Sequence, residues 1–456
     1  MPFARPVLAS VVVLAAAALV PGDPAADARK AAHRPQMCYR DNGVIKLGID
    51  LNLGGAITHL SRSGTGDNVV NNWDWGRQIQ MSHYAGPSPF KVPGKEPAKA
   101  WAAFPWNPVQ AGDHFGHASR VLAAGNAAEL VVTCRPTQWA HDDVPAECTF
   151  ETRVTLDGPT ARVRCKLVNG RADETQYAAL AQELPAVYVN GPYHRLTAYT
   201  GDAPFTGGAP TRVAKKPGES PGFPWARFHA TERWAAQVND ADWGLGVYQP
   251  AAVEFLGGFA GEPGAGGTKD GPTGYIAPVR AEILDHDIVY EYEYTLILGP
   301  LADIRRRATA LHGKPTPPSF TFAADRRGWT LEGATDAGWP LRNEWDIRPK
   351  KGGAHLVGPV GFWRAEAAPV LTIGAAFTTP SKQGRVFWAT HAEPNFAAAR
   401  SLPFPIVGDG AFHTTVVRLA DAPTYRGGIL RLRIDPGDAG GAGERVRVSS
   451  IVLGEK

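Results

Sequence analysis

Apolar and polar residues alternate along this chain over short stretches, nearly always with the period of a β-strand. Between positions 42 and 60, Ile45, Leu47, Ile49 and Leu51 fall on one side, and Val44, Lys46, Gly48 and Asp50 on the other. That is the pattern of a strand with one face buried. Gly54-Gly55 marks a turn, and residues 56–60 start a second strand. Further strands are predicted at 128–134, 148–156 and 160–168, the last two a hairpin across Asp157-Gly158-Pro159. Others follow at 177–189, 193–199, 234–238, 244–248, 253–255 and 287–298. In the last of these, Tyr290, Tyr292 and Tyr294 share one face and Glu291, Glu293 and Thr295 the other. Residues 200–223, rich in Gly, Pro and Ala, read as a long surface loop. A helical period occurs at 300–312, where Leu301, Ile304, Ala308 and Leu311 align and Gly313 is placed to stop the helix. Residues 314–318, Lys-Pro-Thr-Pro-Pro, read as a stiff linker and domain boundary. Beyond it, short alternating strands at 329–331, 371–377, 385–389, 413–419, 428–434 and 445–453 have the spacing of a β-sandwich.

The opening strand, the Gly54-Gly55 turn, the AITHL strand and Asn68 after a Gly-rich loop resemble the start of the galactose-mutarotase-like β-supersandwich. The resemblance implies that fold for residues 38–313. It also implies a carbohydrate as ligand or substrate, because the fold serves aldose epimerases and many glycoside hydrolases and polysaccharide lyases. GGILRLRIDP (427–436) followed by VRVSSIVL (446–453) resembles the closing strands of jelly-roll modules, of the carbohydrate-binding or laminin-G-like kind, for residues 319–456. The fold class expected is therefore all-β, a supersandwich followed by a jelly roll.

Composition narrows this further. The 456 residues suffice for two or three domains, and 51 Gly with 39 Pro suit a turn-rich β-protein. Lys plus Arg (47) nearly balance Asp plus Glu (44), with no basic run beyond Arg305-Arg306-Arg307, so nucleic acid is not an expected partner. Arg5, an apolar run at 7–20 and Ala26-Asp27-Ala28 read as a signal peptide at 1–28, with a secreted product, extracellular or periplasmic, that starts near Arg29. No later stretch is apolar enough to span a bilayer, so no membrane partner is expected after cleavage. The four cysteines have no zinc-site spacing and read as disulfides; three pairings are open, and the short loop favours Cys134 with Cys148, leaving Cys38 with Cys165.

Candidate chemistry gathers in NNWDWGRQIQMSHY (71–84) and WNPVQAGD (106–113), where flat rings stand beside amides and charges suited to a sugar. If 74–81 is extended, Asp74 opposes Trp75 and Arg77 in facing. Asp74, Arg77, Gln80 and Tyr84, with Trp106, Asn107 and Gln110, are the candidate substrate contacts. The alternatives are an Arg77–aspartate bridge that braces a loop, and Trp106 as a plug against the core. Glu183, after an apolar run and before Pro185, is the candidate general acid whose pKa burial would raise; it could equally anchor a loop. Tyr188, Tyr193, His194 and Arg195 follow it, and His194 is a further candidate contact. A Tyr or His base with an Arg neutralising a uronate would suit a lyase. His229 and Glu232 are second-rank acid–base candidates, because the chain lacks the His-containing Tyr-Phe-Asn segment of the epimerases. His114 and His117 lie three apart without an evident third ligand, so no metal is assigned. No cofactor is expected, although loop oxygens binding a structural calcium would leave no local signature. The preferred expectation is a glycoside hydrolase with Glu183 and Asp113 as its carboxylate pair and Arg77 and Trp106 placing the sugar. A polysaccharide lyase and a non-catalytic glycan-binding protein are the alternatives.

Overall fold

The computed structural model describes residues 23–215, 225–437, 441 and 443–455. The apolar run of the expected signal peptide lies outside them, and Ala26-Asp27-Ala28 falls within a helix, Pro24–Ala32. The predicted alternation is realised as two large antiparallel sheets packed face to face. In the first, the strands run Met37–Asp41, Ile45–Asp50, Ala56–Arg62, Ile79–Ser82, Leu180–Asn190, Thr273–Glu282, Glu254–Ala260 and Trp225–His229 from edge to edge. The second is centred on Val289–Pro300, flanked by Trp243–Tyr248 and Thr160–Asn169. Leu47, Ile49, Leu184, Val187 and Ile276 from the first sheet meet Val154, Val163, Leu167, Val247 and Leu296 from the second in one buried core. Cys148–Asp157 and Thr160–Asn169 form the expected hairpin, turning at Gly158 with φ near 50°.

The helix expected at 300–312 forms as Leu301–His312 and lies on the outer face of the second sheet, where Ile304 and Ala308 join Trp234, Tyr248 and Ile297. Gly246 permits that approach, since a Cβ there would sit 2.2 Å from Ile304. Leu311 departs from the pattern: it is 49% exposed, beyond the last turn that meets the sheet. The loop expected at 200–223 contains a short strand, Thr211–Arg212, paired with Arg195–Ala198, and its residues 216–224 lie outside the described ones.

From Ser319 onward the chain builds two further antiparallel sheets around a separate core containing Trp329, Trp345, Trp388 and Leu432. The molecule is thus all-β, a supersandwich followed by a second β-sandwich. The expected disulfides are not formed, and all four cysteines are free thiols. Cys134 lies directly opposite Phe150, so Cys148, two residues along the same strand, is only its diagonal neighbour, farther than a disulfide spans. Cys38 and Cys165 belong to different sheets. Burial pushes the Cys134 and Cys165 thiols up to about 12, and they pack as small apolar groups.

Candidate active site

The middle strand of the first sheet, Leu180–Asn190, is buried on both faces. Its inner face carries Leu184, Val187 and Val189 into the inter-sheet core, and its outer face packs Ala186 and Tyr188 with Trp225, Tyr275 and Val279. Pairing with the neighbouring strands shifts register between Glu183 and Val187, where Pro185 offers no N–H to the ladder. Such irregularities re-aim side chains. Here Glu183 is turned into a cavity roofed by Trp101, Phe104 and Trp139, which belong to the excursion between Tyr84 and Ala140.

The cavity and its open mouth hold about 520 Å³ of space, and Asp74, Arg77, Gln80, Ser82, Tyr84, Asn107, Glu183 and Tyr188 are among its lining residues. Glu183 is only 7% exposed. Its Oε1 accepts a short hydrogen bond from the Tyr275 hydroxyl, and its Oε2 accepts one of 3.1 Å from the Tyr84 hydroxyl. Ser82 Oγ donates to the Tyr84 oxygen at 2.8 Å, and Asn107 Nδ2 donates to Ser82 Oγ at 3.2 Å. Burial pushes the Glu183 carboxyl up to about 7, against the pull of the two phenols. Burial, and next the Glu183 charge, hold Tyr84 and Tyr275 well above the usual phenol range.

Asp74 and Arg77 face the same space because residues 73–76 turn instead of extending, and the strand begins only at Ile79. That corrects the opposed facings expected for Asp74 and Arg77. Arg77 Nε lies 3.2 Å from Asp74 Oδ2, and its Nη1 donates to the Gly271 carbonyl at 2.6 Å. The bracing role weighed for Arg77 is therefore present, at the wall of a cavity. Gln80 lines the same wall, with its amide committed to Trp75 O at 2.9 Å and Ala111 N at 2.8 Å.

Other candidates are placed elsewhere. Asp113 is not among the cavity's lining residues. It is fully buried, and accepts from His117 N and Asp143 N, each at 2.8 Å, while His117 Nδ1 bridges to Asp142. Its carboxylate ties two loops together, so the Glu183–Asp113 pair is not assembled. Trp106 is a core residue, 1% exposed, and Gln110 is buried between Met81 N and Gly54 O. His194 and Arg195 lie against Asp240. Glu232 is locked by Arg305 at 2.7 Å, Trp234 Nε1 at 2.9 Å and Phe205 N at 2.8 Å. Burial raises its pKa, but these partners bring it below the ordinary value. His229 faces His391 of the second sandwich, 5.9 Å between ring centroids, and burial pushes it down to about 4.

Sequence reasoning missed Tyr275, Ser82, Trp101, Phe104 and Trp139. Tyr275 reaches Glu183 from an adjacent strand 92 residues away, a pairing with no local signal. Trp73, within the stretch singled out at 71–84, is exposed at 51%, the one exposed tryptophan of the thirteen, one residue before Asp74.

No protein-family model and no curated protein matches the sequence. Among solved structures, the chain is similar to a putative aldose 1-epimerase from Escherichia coli K12, with 13% identity, 58% of this chain and 99% of that one covered, and a TM-score of 0.38. It is similar to a galactose mutarotase related enzyme from Lactobacillus acidophilus, with 11% identity over 58% of this chain and 97% of that one, and a TM-score of 0.34. A third similarity is to CsCBM6-3 from Clostridium stercorarium in complex with cellobiose, with 9% identity over 32% of this chain and 99% of that one, and a TM-score of 0.20.

Proposed function

We propose that the protein is a secreted carbohydrate-active enzyme that cleaves a glycosidic bond in the Glu183 cavity, with Glu183 as general acid. One observation carries this reading: a carboxyl with a pKa of about 7, positioned by two phenols, on the wall of an aromatic-roofed cavity. A general acid works best when its pKa lies near the working pH, and glycosidic oxygen is a poor leaving atom until it receives a proton. Asp74 replaces Asp113 as the second carboxylate, since it lines the same cavity. Arg77 Nε stands 3.2 Å from Asp74 Oδ2, while burial favours the protonated form of Glu183. Trp101, Phe104 and Trp139 offer ring faces to the apolar side of a sugar, and Trp73 supplies an exposed one outside.

Lyase chemistry with a tyrosine base draws less support. The cavity phenols Tyr84 and Tyr188 are pushed far above neutrality by burial and then by Glu183, so neither would surrender a proton readily. The test is a screen of the purified chain against polysaccharides and aryl glycosides, with products followed both by reducing ends and by ultraviolet absorbance of an unsaturated uronate. Reducing ends without unsaturation are expected, and Glu183→Gln should lower kcat by about 10²–10⁴ with little change in KM. Unsaturated products, or a Gln variant of full activity, would overturn the assignment.

A further inference from the structure

The second sandwich carries a feature that the Glu183 cavity does not use. On the strands Gln383–Thr390 and Gly428–Asp435, Val386, Trp388, Leu432 and Ile434 point into the core, so the residues between them form the outer face. In register across that face, Arg385 lies opposite Asp435, Phe387 opposite Arg433, and Ala389 opposite Arg431. Arg431 and Arg433 are therefore about 7 Å apart along one strand, and Arg385 stands on the neighbouring strand level with Asp435.

Two of the three are occupied. Arg433 pairs with Asp435, its Nη2 donating to Oδ2 at 3.0 Å and its Nε lying 2.9 Å from Oδ1, and stands 4.0 Å from the Phe387 ring centre. Arg385 donates to Ser401 Oγ at 3.0 Å. Arg431 differs. It is half-buried and its guanidinium lies 4.9 Å from the Phe396 ring centre, yet among the described residues it makes no hydrogen bond and no ion pair. Its acidic neighbours do not reach it: Glu254 is held by Arg227, and Glu332 is exposed beyond contact distance. Burial pulls the Arg431 pKa below its ordinary value, and the nearby Glu254 charge offsets this only in part. A partly desolvated, unpaired guanidinium is costly to a fold unless an anion arrives to accept its donors.

We infer that this face of the second sandwich binds an anionic glycan, whose carboxylate or sulfate is taken by Arg431 with the sugar ring seated beside Phe396 and the chain running along the arginine row. The planar guanidinium fork matches an oxyanion in two parallel hydrogen bonds, and the Phe396 ring holds that fork in plane. Arginines spaced along two paired strands suit an extended chain. The glycan half of the assignment rests on the carbohydrate reading above, and the anion half rests on Arg431 alone.

Calorimetric titration of the full chain with trigalacturonate, a sulfated chondroitin tetrasaccharide and neutral maltotriose tests it. Binding of at least one anionic probe is expected, with none for maltotriose at this site, and the two anionic arms decide between carboxylate and sulfate. Arg431→Met should weaken that binding by about tenfold or more, while leaving Tm unchanged or raised, because the substitution removes an unpaired cation. Phe396→Ala should weaken it as well. Glu183→Gln, run in parallel, should leave this binding intact, so a failure of the cavity reading and a failure of the arginine site are told apart. Equal binding of maltotriose, anionic binding unaffected by Arg431→Met, or a Tm that falls markedly in that variant would overturn the inference.

Discussion

A carboxyl that stays protonated near neutrality marks the folding equilibrium as well as the reaction. Glu183 has a pKa of about 7 in the folded chain against an ordinary value of 4.5. Between those values the native state holds a proton that the unfolded state releases, so this group favours folding fully below about pH 4.5. That advantage declines as pH rises through 7. At about 1.4 kcal/mol per pH unit the whole decline is about 3 kcal/mol. Glu183→Gln cannot ionise, so its Tm relative to the parent should rise between pH 5 and pH 8. Thermal unfolding at those two values checks this, and a constant difference would mean that Glu183 is ionised in the fold. Glu183 stood out in the sequence as an acid between an apolar run and a proline, a pattern that fits a loop anchor equally well, and its place on the cavity wall is what the sequence could not supply. Asp113 was misread because a short run of Trp, amides and Asp serves a sugar and a loop brace equally well. Only the backbone N–H groups of His117 and Asp143, pointing at its oxygens, separate the two.

At the level of elements, the register shift in Leu180–Asn190 needs a substitute for the ladder it breaks. Gln182 provides it: its Oε1 accepts from Tyr84 N at 3.0 Å and its Nε2 donates to Tyr84 O at 2.7 Å, a side chain doing what a paired strand would do. Because Tyr84 is one of the two phenols on Glu183, the same amide fixes both the strand and the acid. Gln182→Ala would leave two buried backbone groups unpaired, at a cost of about 2–5 kcal/mol. The expected result is a lower urea midpoint with unchanged slope, and activity reduced beyond the loss in folded fraction. Strand existence was legible throughout, since the period of two survives wherever one face is buried. Segments whose facing is set by turns were not: residues 73–76 carry no alternation error, yet they curl and bring Asp74 and Arg77 to one wall. The cysteines misled for a related reason, because an even count in a presumed export product says nothing of where the thiols point.

The two sandwiches are joined by charge as much as by apolar contact. Arg326, at the start of the second sandwich, pairs with Asp285 of the first at 2.7 Å and forks onto Asp336, and all three are almost fully inaccessible. Gln176 crosses the same seam, donating to Asp336 at 2.6 Å and to Asp285 at 3.2 Å, and Trp345 Nε1 adds a further bond to Asp336 at 2.7 Å. Ile283 of the first sandwich is buried in the second core, so the seam is not a loose tether. The Pro-rich segment at 314–318 reads as a linker, but this network, invisible in the sequence because its members lie up to 160 residues apart, is what couples the bodies. Coupling matters here because Arg227 and Glu254 of the first sandwich stand beside Arg431 of the second, so docking sets the charge around that arginine. Arg326→Ala strands two buried carboxylates, which should cost about 3–5 kcal/mol. Since the loss falls on the seam and neither core is touched, calorimetry should resolve two unfolding transitions where the parent shows one. A single transition displaced as a whole would mean that the sandwiches unfold as one unit even without the charge network.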